Sequence, residues 1–144
     1  MRVLVTGGAG FIGSHIVGFF QGQAGVRVLD NLRSGFKHNL AGFKHEFVQA
    51  SVLDREAVAH AMENVDYVFH LAGMISVPES MQQPVECHEI NTTGTIVVLE
   101  EAARAKVKKV VFSSSAAVYG DNPVTPKVET MLPEPKSPCA IGMV

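Results

Sequence analysis

The sequence predicts a doubly wound parallel α/β sheet of about five strands, in the order 3-2-1-4-5. Three observations predict it. Short apolar runs alternate with helical or irregular crossovers along the chain, a glycine string follows the first run directly, and a lone acidic residue ends the second. Strands buried on both faces of a parallel sheet read as continuous apolar runs, and the crossovers between them are right-handed.

The elements follow in order. Met1-Arg2-Val3-Leu4-Val5 reads as a buried strand, and Phe11 to Gln21 as the helix after it. Val26–Leu29, Glu46–Gln49, Tyr67–Leu71 and Val110–Ser113 supply the other four strands. Asp54 is a helix N-cap, and Ala57, Val58, Ala61, Met62 and Val65 recur at the spacing of one buried face. A longer helix is expected from Val85 to Ala105, with Ile90, Gly94, Val97, Val98, Ala102 and Ala105 facing the sheet. Ile96, Leu99 and Ala103 add apolar surface on its other sides, to be covered by loops or by a partner. Lys106, Lys108 and Lys109 lie at its C-terminal end, where cations offset the dipole. Gly35-Phe36-Lys37-His38 recurs as Gly42-Phe43-Lys44-His45, two copies in a crossover loop and too few for a solenoid. Beyond Gly120 come five of the seven prolines, which argue against a regular helix or central strand. The expected division is therefore an α/β domain over 1–120 and a Pro-rich segment over 121–144.

Composition excludes several classes. With 144 residues, 47% of them hydrophobic and 18% charged, at a net charge of −2, the chain is an ordinary single-domain protein. No basic patch calls for nucleic acid, and no apolar stretch nears the roughly 18 residues of a membrane span. Glycines interrupt the first apolar run, so it is not read as a signal peptide. Cys87 and Cys139 are expected as free thiols in a reducing cytoplasm, and the six histidines show no metal-ligand spacing.

The glycine string carries the chemistry. Thr6-Gly7-Gly8-Ala9-Gly10-Phe11-Ile12-Gly13 sits between a strand and a helix, with Asp30 twenty residues beyond Gly10. One glycine permits the tight turn, one lets main chain approach a pyrophosphate, and one lets the helix pack closely on the sheet. The helix N-terminus then offers N–H groups and partial positive charge to the phosphates. This is a dinucleotide-binding arrangement in its proper context.

The chain resembles the extended short-chain dehydrogenase/reductase family, and within it the nucleotide-sugar epimerases. The resemblance rests on the string through His15, on Asp30-Asn31-Leu32, on His70-Leu71-Ala72-Gly73, on Asn91 with Gly94-Thr95, and on Ser113-Ser114-Ser115-Ala116-Ala117-Val118-Tyr119-Gly120. It implies a Rossmann-like fold that binds NAD at the C-terminal edge of the sheet. Asp30 would accept from the adenosine ribose and disfavour NADP, with Arg33 blunting that preference. Gly7, Gly10, Phe11, Ile12 and Gly13 would border the cofactor phosphates, and Asn31, Leu32, Arg33 and Ser34 the adenosine. Ser51 and Val52 would meet the adenine, with Leu71, Ala72, Gly73, Asn91 and Ser113 toward the nicotinamide half. Ser115 would hydrogen-bond a reacting sugar hydroxyl, or simply cap the strand end. His70 reads as a satisfied strand-end histidine.

Three departures from the family pattern stand out. The family's Tyr-x-x-x-Lys pair follows a Ser-Pro, but here Ser137-Pro138 leads to Cys139 and Met143 in those two places. A phenol that exchanges a proton and a lysine that lowers its pKa are both missing, and a lost acid–base group costs about 10²–10⁴-fold in rate. The family also continues into a C-terminal substrate domain, which is not expected here, so the fifth strand would lie at an open edge and favour a homodimer or higher homo-oligomer. Ser51 stands where the family places an aspartate. The expected function is thus an NAD-binding, epimerase-like protein with weak or absent sugar chemistry, its small-molecule partners being NAD and a nucleotide-sugar. A hydrolase using Ser113, Ser114, Ser115 or Cys139 with His70 or His88 as base is one alternative; an NAD-responsive regulatory protein is another.

Overall fold

Strand β1 (Arg2–Thr6) lies between β2 (Gly25–Leu29) and β4 (Tyr67–His70), with β3 (Glu46–Val48) and β5 (Lys109–Phe112) at the two edges. All four pairings are parallel, in the expected order 3-2-1-4-5. A computed structural model describes residues 1–143. Its packing divides into two compact units, Met1–Ala72 with Gly94–Ser113, and Gly73–Thr93 with the chain from Ser114 on.

The first unit is a three-layer sandwich. Alternate residues of β1 point to opposite faces, as the period of a strand requires. Val3 and Val5 pack with Val26, Val28 and Val17 of α1 (Phe11–Phe19) on one side. Leu4 packs with Leu29 and Val68 on the other, against Val58, Ala61 and Met62 from the α2 region (Arg55–Ala61) and Val97, Val98 and Ala102 of α5 (Gly94–Arg104). Asp54 caps α2 as expected, its Oδ1 accepting from the Ala57 N–H at 3.1 Å. The two copies of Gly-Phe-Lys-His are not equivalent. Phe36 is exposed and stacks on His38, whereas Phe43 packs into the α1-side core beneath Gly18.

The long helix expected over 85–105 is three segments: α4 (Pro84–His88), a π turn (Glu89–Thr93) and α5. An i→i+5 turn shifts the angular position of every later residue, so a single 3.6-residue stripe cannot run through it. Along α5 the buried face is Gly94, Val97, Val98, Glu101 and Ala102, and Ala105 is exposed rather than facing the sheet. Glu101 is tolerated there because Arg55 and Arg104 reach it at 2.6 and 2.5 Å, leaving its charge paired. The lysines beyond α5 are not simply dipole partners. Lys106 takes a left-handed conformation that ends the helix, Lys108 pairs with Asp66 at 2.7 Å, and Lys109 begins β5.

In the second unit, prolines start helices instead of excluding them. Ser76 and Ser137 cap α3 (Val77–Gln82) and α6 (Pro138–Ile141), accepting from the Glu79 and Ala140 N–H groups, with Pro78 and Pro138 in the first turn. Proline suits that position because its missing N–H would be unpaired there anyway. No helix among the described residues is long and apolar enough to cross a membrane.

A buried polar chain ties β1, β4 and α5 together. Thr6 Oγ1 lies 2.6 Å from His70 Nδ1, and His70 Nε2 lies 3.0 Å from Thr95 Oγ1. His70 is fully buried, and desolvation lowers its pKa from 6.5 to about 4. The unfolded chain therefore takes up this proton first as pH falls. The contribution is fully present above pH 6.5 and is lost progressively down to about pH 4, a change of about 3 kcal/mol. Urea unfolding of the native chain and of His70→Gln across this window is expected to show that extra slope in the native chain only.

Candidate functional site

The glycine loop is held from three sides within the first unit. Gly7 adopts φ +70°, a left-handed conformation that favours glycine, and donates its N–H to the Leu29 carbonyl at 2.8 Å. A Cβ on Gly7 would fall 2.8 Å from the Ala72 nitrogen, so the loop is pressed against the chain leaving β4. A Cβ on Gly13 would lie 2.7 Å from Gly8 Cα and closer still to the Gly7 carbonyl oxygen. α1 therefore begins as near the sheet as main chain permits.

Gly10 is different. It is the N-cap of α1, without a side-chain cap, and its closest obstacle to a Cβ is the Gly7 carbonyl oxygen at 3.2 Å. Phe11 and Ile12, the first two helical residues, are 78% and 60% exposed, so the first turn faces solvent. An uncapped helix N-terminus with a bare Cα beside it is suited to a phosphate.

Asp30 is 7% exposed and spans the loop and the end of β2. Its Oδ2 accepts from the Ala9 N–H at 2.9 Å and its Oδ1 from the Leu32 N–H at 2.7 Å. A carboxylate has about four lone-pair sites, so two remain for another donor. Leu32 sits at φ 62°, and Asn31 Oδ1 accepts from the Arg33 N–H at 3.0 Å, closing a tight turn that exposes Asn31, Arg33 and Ser34. The Ala9 carbonyl accepts from the Phe36 N–H and from Asn39 Nδ2, at 3.0 and 2.8 Å.

The remaining expected residues divide sharply. Ser51 is half-buried, its Oγ accepting from the Leu53 N–H at 3.2 Å, and Val52 is buried in the α2–α5 core. The Leu71 and Ala72 N–H groups both donate to Thr6 Oγ1 at 3.3 Å, and the Ser113 N–H donates to the His70 carbonyl. Thr6 and Thr95 sit inside the glycine-string and Gly94-Thr95 motifs, and nothing local to either predicts its partner. Only the folded pairing of β1 with β4 brings Thr6 to His70.

In the second unit Asn91 is 4% exposed and fixes the turn at Met74, its Oδ1 accepting from the Met74 N–H at 2.7 Å and its Nδ2 donating to the Met74 carbonyl at 3.0 Å. Ser115 caps a 3₁₀ turn over Ala116–Tyr119, its Oγ accepting from the Ala117 N–H at 3.1 Å. Ser114 donates to the Met143 carbonyl at 2.8 Å. Cys139 is 2% exposed and donates to the Met74 carbonyl at 3.2 Å; desolvation pushes its pKa up. A covered, protonated thiol is a poor nucleophile. His70 and His88 each hydrogen-bond to a threonine, Thr6 and Thr95 for the first and Thr92 for the second. Among the described residues, no group of three or more His, Cys, Asp or Glu could hold a metal ion.

A parallel sheet in the order 3-2-1-4-5, whose first strand enters a helix through a glycine loop and whose second ends in an acidic residue, defines a Rossmann-like α/β fold. Over residues 3–142 the chain matches the NAD dependent epimerase/dehydratase family, and it belongs to that family. It is 41% identical over 138 residues to a UDP-glucose 4-epimerase of Yersinia enterocolitica, covering 90% of this chain and 41% of that one. A putative UDP-glucose 4-epimerase of Methanocaldococcus jannaschii is 42% identical over 143 residues, covering 97% and 47%. Among solved structures, UDP-glucose 4-epimerase of Thermotoga maritima with UDP-glucose superposes with a TM-score of 0.93 at 41% identity, covering 99% of this chain and 48% of that one. The Thermus thermophilus enzyme in complex with NAD gives 0.92 at 40%, covering 99% and 47%. The chain thus spans under half the length of the relatives it matches.

Two glycines of the loop have separable roles, and one substitution isolates the structural role. Gly13→Ala is expected to lower unfolding stability by about 1–3 kcal/mol, because the obstacle is main chain that cannot turn aside. A shift of the urea midpoint without a change in slope checks it.

Proposed function

We propose that this chain binds NAD at the glycine loop and lacks the acid–base pair that turns such binding into efficient sugar epimerisation. The observation that carries the reading is the loop itself: a bare Gly10 at an uncapped helix start, beside a buried Asp30 with lone pairs to spare. The residues fit the cofactor. Gly7, Gly10, Phe11, Ile12 and Gly13 would hold the pyrophosphate by main chain and helix charge. Asp30 would accept from the ribose hydroxyls, and its negative charge favours NAD over the 2′-phosphorylated form. Asn31, Leu32, Arg33, Ser34, Ser51 and Val52 would edge the adenosine, with Leu71, Ala72, Gly73, Asn91 and Ser113 toward the nicotinamide.

When bound, NAD supplies a hydride acceptor. The chain's own residues would bind and orient it, but Cys139 and Met143 stand in the places of the family's tyrosine and lysine. The Cys139 thiol is spent on a main-chain carbonyl inside an apolar cluster, which leaves it poorly suited to exchange protons with a sugar. Turnover of UDP-glucose or a related nucleotide-sugar is therefore expected near background. The solved relatives carrying NAD and UDP-glucose support the small-molecule class of this reading. A reducing, cytoplasmic setting belongs to it as well, consistent with two free cysteines.

Calorimetric titration tests it. NAD is expected to bind, and more tightly than NADP. Gly10→Ala is expected to weaken NAD binding at least about tenfold, equivalent to about 1.4 kcal/mol, while lowering the urea midpoint less than Gly13→Ala does. No heat at millimolar NAD, or a Gly10→Ala variant that binds normally, would overturn the reading.

Self-association is part of the same proposal. β5 is an open edge with Val111 and Phe112 more than 40% exposed. Ile96 and Leu99 of α5 are nearly half exposed. On the opposite face, Ile12, His15, Ile16, Phe19, Phe20 and Phe69 line an apolar hollow of about 280 Å³. Surfaces of this kind favour association between copies. Light scattering at micromolar concentration is expected to give at least a dimer, and a monomer would remove this part.

A further inference from the structure

Two thiols far apart in sequence meet in the second unit. Cys87 of α4 and Cys139 of α6 share one small buried cluster with Met74, packed about by Ile90 and Met143. Neither is exposed beyond 2%. Asn91 Nδ2 donates to Cys87 Sγ at 3.5 Å, and Cys139 donates to the Met74 carbonyl at 3.2 Å. The helices that carry them, α4 and α6, pack against each other in this unit. We propose that Cys87 and Cys139 form an oxidative modification site, closing to a reversible intramolecular disulfide when the native chain meets hydrogen peroxide.

The chemistry follows from the packing. Burial of both thiols screens out bulky oxidants and leaves a peroxide, which is barely larger than water. Cys139, the less completely covered of the two, reacts first. Its sulfur attacks one peroxide oxygen and the O–O bond breaks. The departing hydroxide takes up the proton the thiol gave up, leaving water and a sulfenic acid. The Cys87 sulfur then attacks the Cys139 sulfur and the S–O bond breaks. Hydroxide leaves with the Cys87 proton as a second water. Two thiols are oxidised and one peroxide is reduced to two waters. An isolated sulfenic acid would persist or oxidise further, whereas this one has a resolving thiol against it. Desolvation raises both thiol pKa values, so the reaction is slow at neutral pH and quickens in alkali. Nucleotide binding plays no part in the argument, and the site stands or falls by itself.

The test uses the whole reduced chain, treated with hydrogen peroxide at about pH 7 and about pH 9 and then alkylated in denaturant. Mass spectrometry is expected to show loss of two hydrogens, no alkylated cysteine, and a peptide joining Cys87 to Cys139 that dithiothreitol separates. The rate is expected to be at least several-fold higher at the upper pH. Cys87→Ser is expected to leave a sulfenic acid on Cys139 that dimedone traps when it is added together with the denaturant. The proposal is overturned if both cysteines are still alkylated at both pH values, or if only methionine is oxidised. A disulfide solely between chains, or sulfinic acid in place of the bridge, overturns it equally. The unsubstituted chain decides the matter even if Cys87→Ser does not fold.

Discussion

The Asp30 carboxylate is the constraint on which the first unit's site depends. A buried carboxylate is costly unless hydrogen-bonded, and this one accepts main-chain N–H groups from Ala9 and Leu32. It therefore joins the glycine loop to the turn after β2, two segments that no strand pairing connects directly. The loop's other supports are main-chain and Asn39 hydrogen bonds at Gly7 and Ala9, and close packing of Gly7 against Ala72, Gly8 against Val28 and Gly13 against Gly8. Whatever else it meets, the carboxylate is a brace between these two segments. Its remaining lone pairs are held in place before any ligand arrives, which reduces the ordering that binding would otherwise require.

The same economy governs the sheet. The parallel ladder and the alternation of buried faces set the register of β1 against β4. The Thr6–His70–Thr95 chain gives direction to their C-terminal ends. On the α2 side Arg27, 7% exposed, pairs with Glu46 at 2.7 Å and donates to the Ala61 carbonyl at 2.7 Å, closing the end of α2 onto β2. Among the described residues no buried side-chain nitrogen or oxygen is left without a partner. The polar groups inside this sandwich act as register marks, and the apolar ones supply the cohesion.

The second unit shows how a family position can keep its local structure while its chemistry changes. Ser137-Pro138 still starts a helix, since capping needs only a hydroxyl and a proline in the first turn. Cys139, next in line, has turned into a core with Met74 and Cys87. A thiol is small and apolar enough to be buried there, whereas a phenol would need both more room and a partner for its hydroxyl. The site that pairs two sulfurs thus occupies ground where the family keeps a proton donor.

Features that depend on near neighbours along the chain are encoded locally. Strand β1, its glycine loop, the Asp54 cap and the five-strand order follow from apolar periodicity and from residues with narrow conformational preferences, and these were legible. Folding decided what depends on residues distant in sequence. Thr6 acquires its role only because β4 lies beside β1, and Glu101 enters a helix's buried face only because Arg55 reaches across from α2. The π turn at Glu89–Thr93 breaks a helix that periodicity alone would carry through to Ala105. Cys87 and Cys139 become neighbours across half a hundred intervening residues for the same reason. Local pattern encodes propensity, and only long-range packing can encode who meets whom.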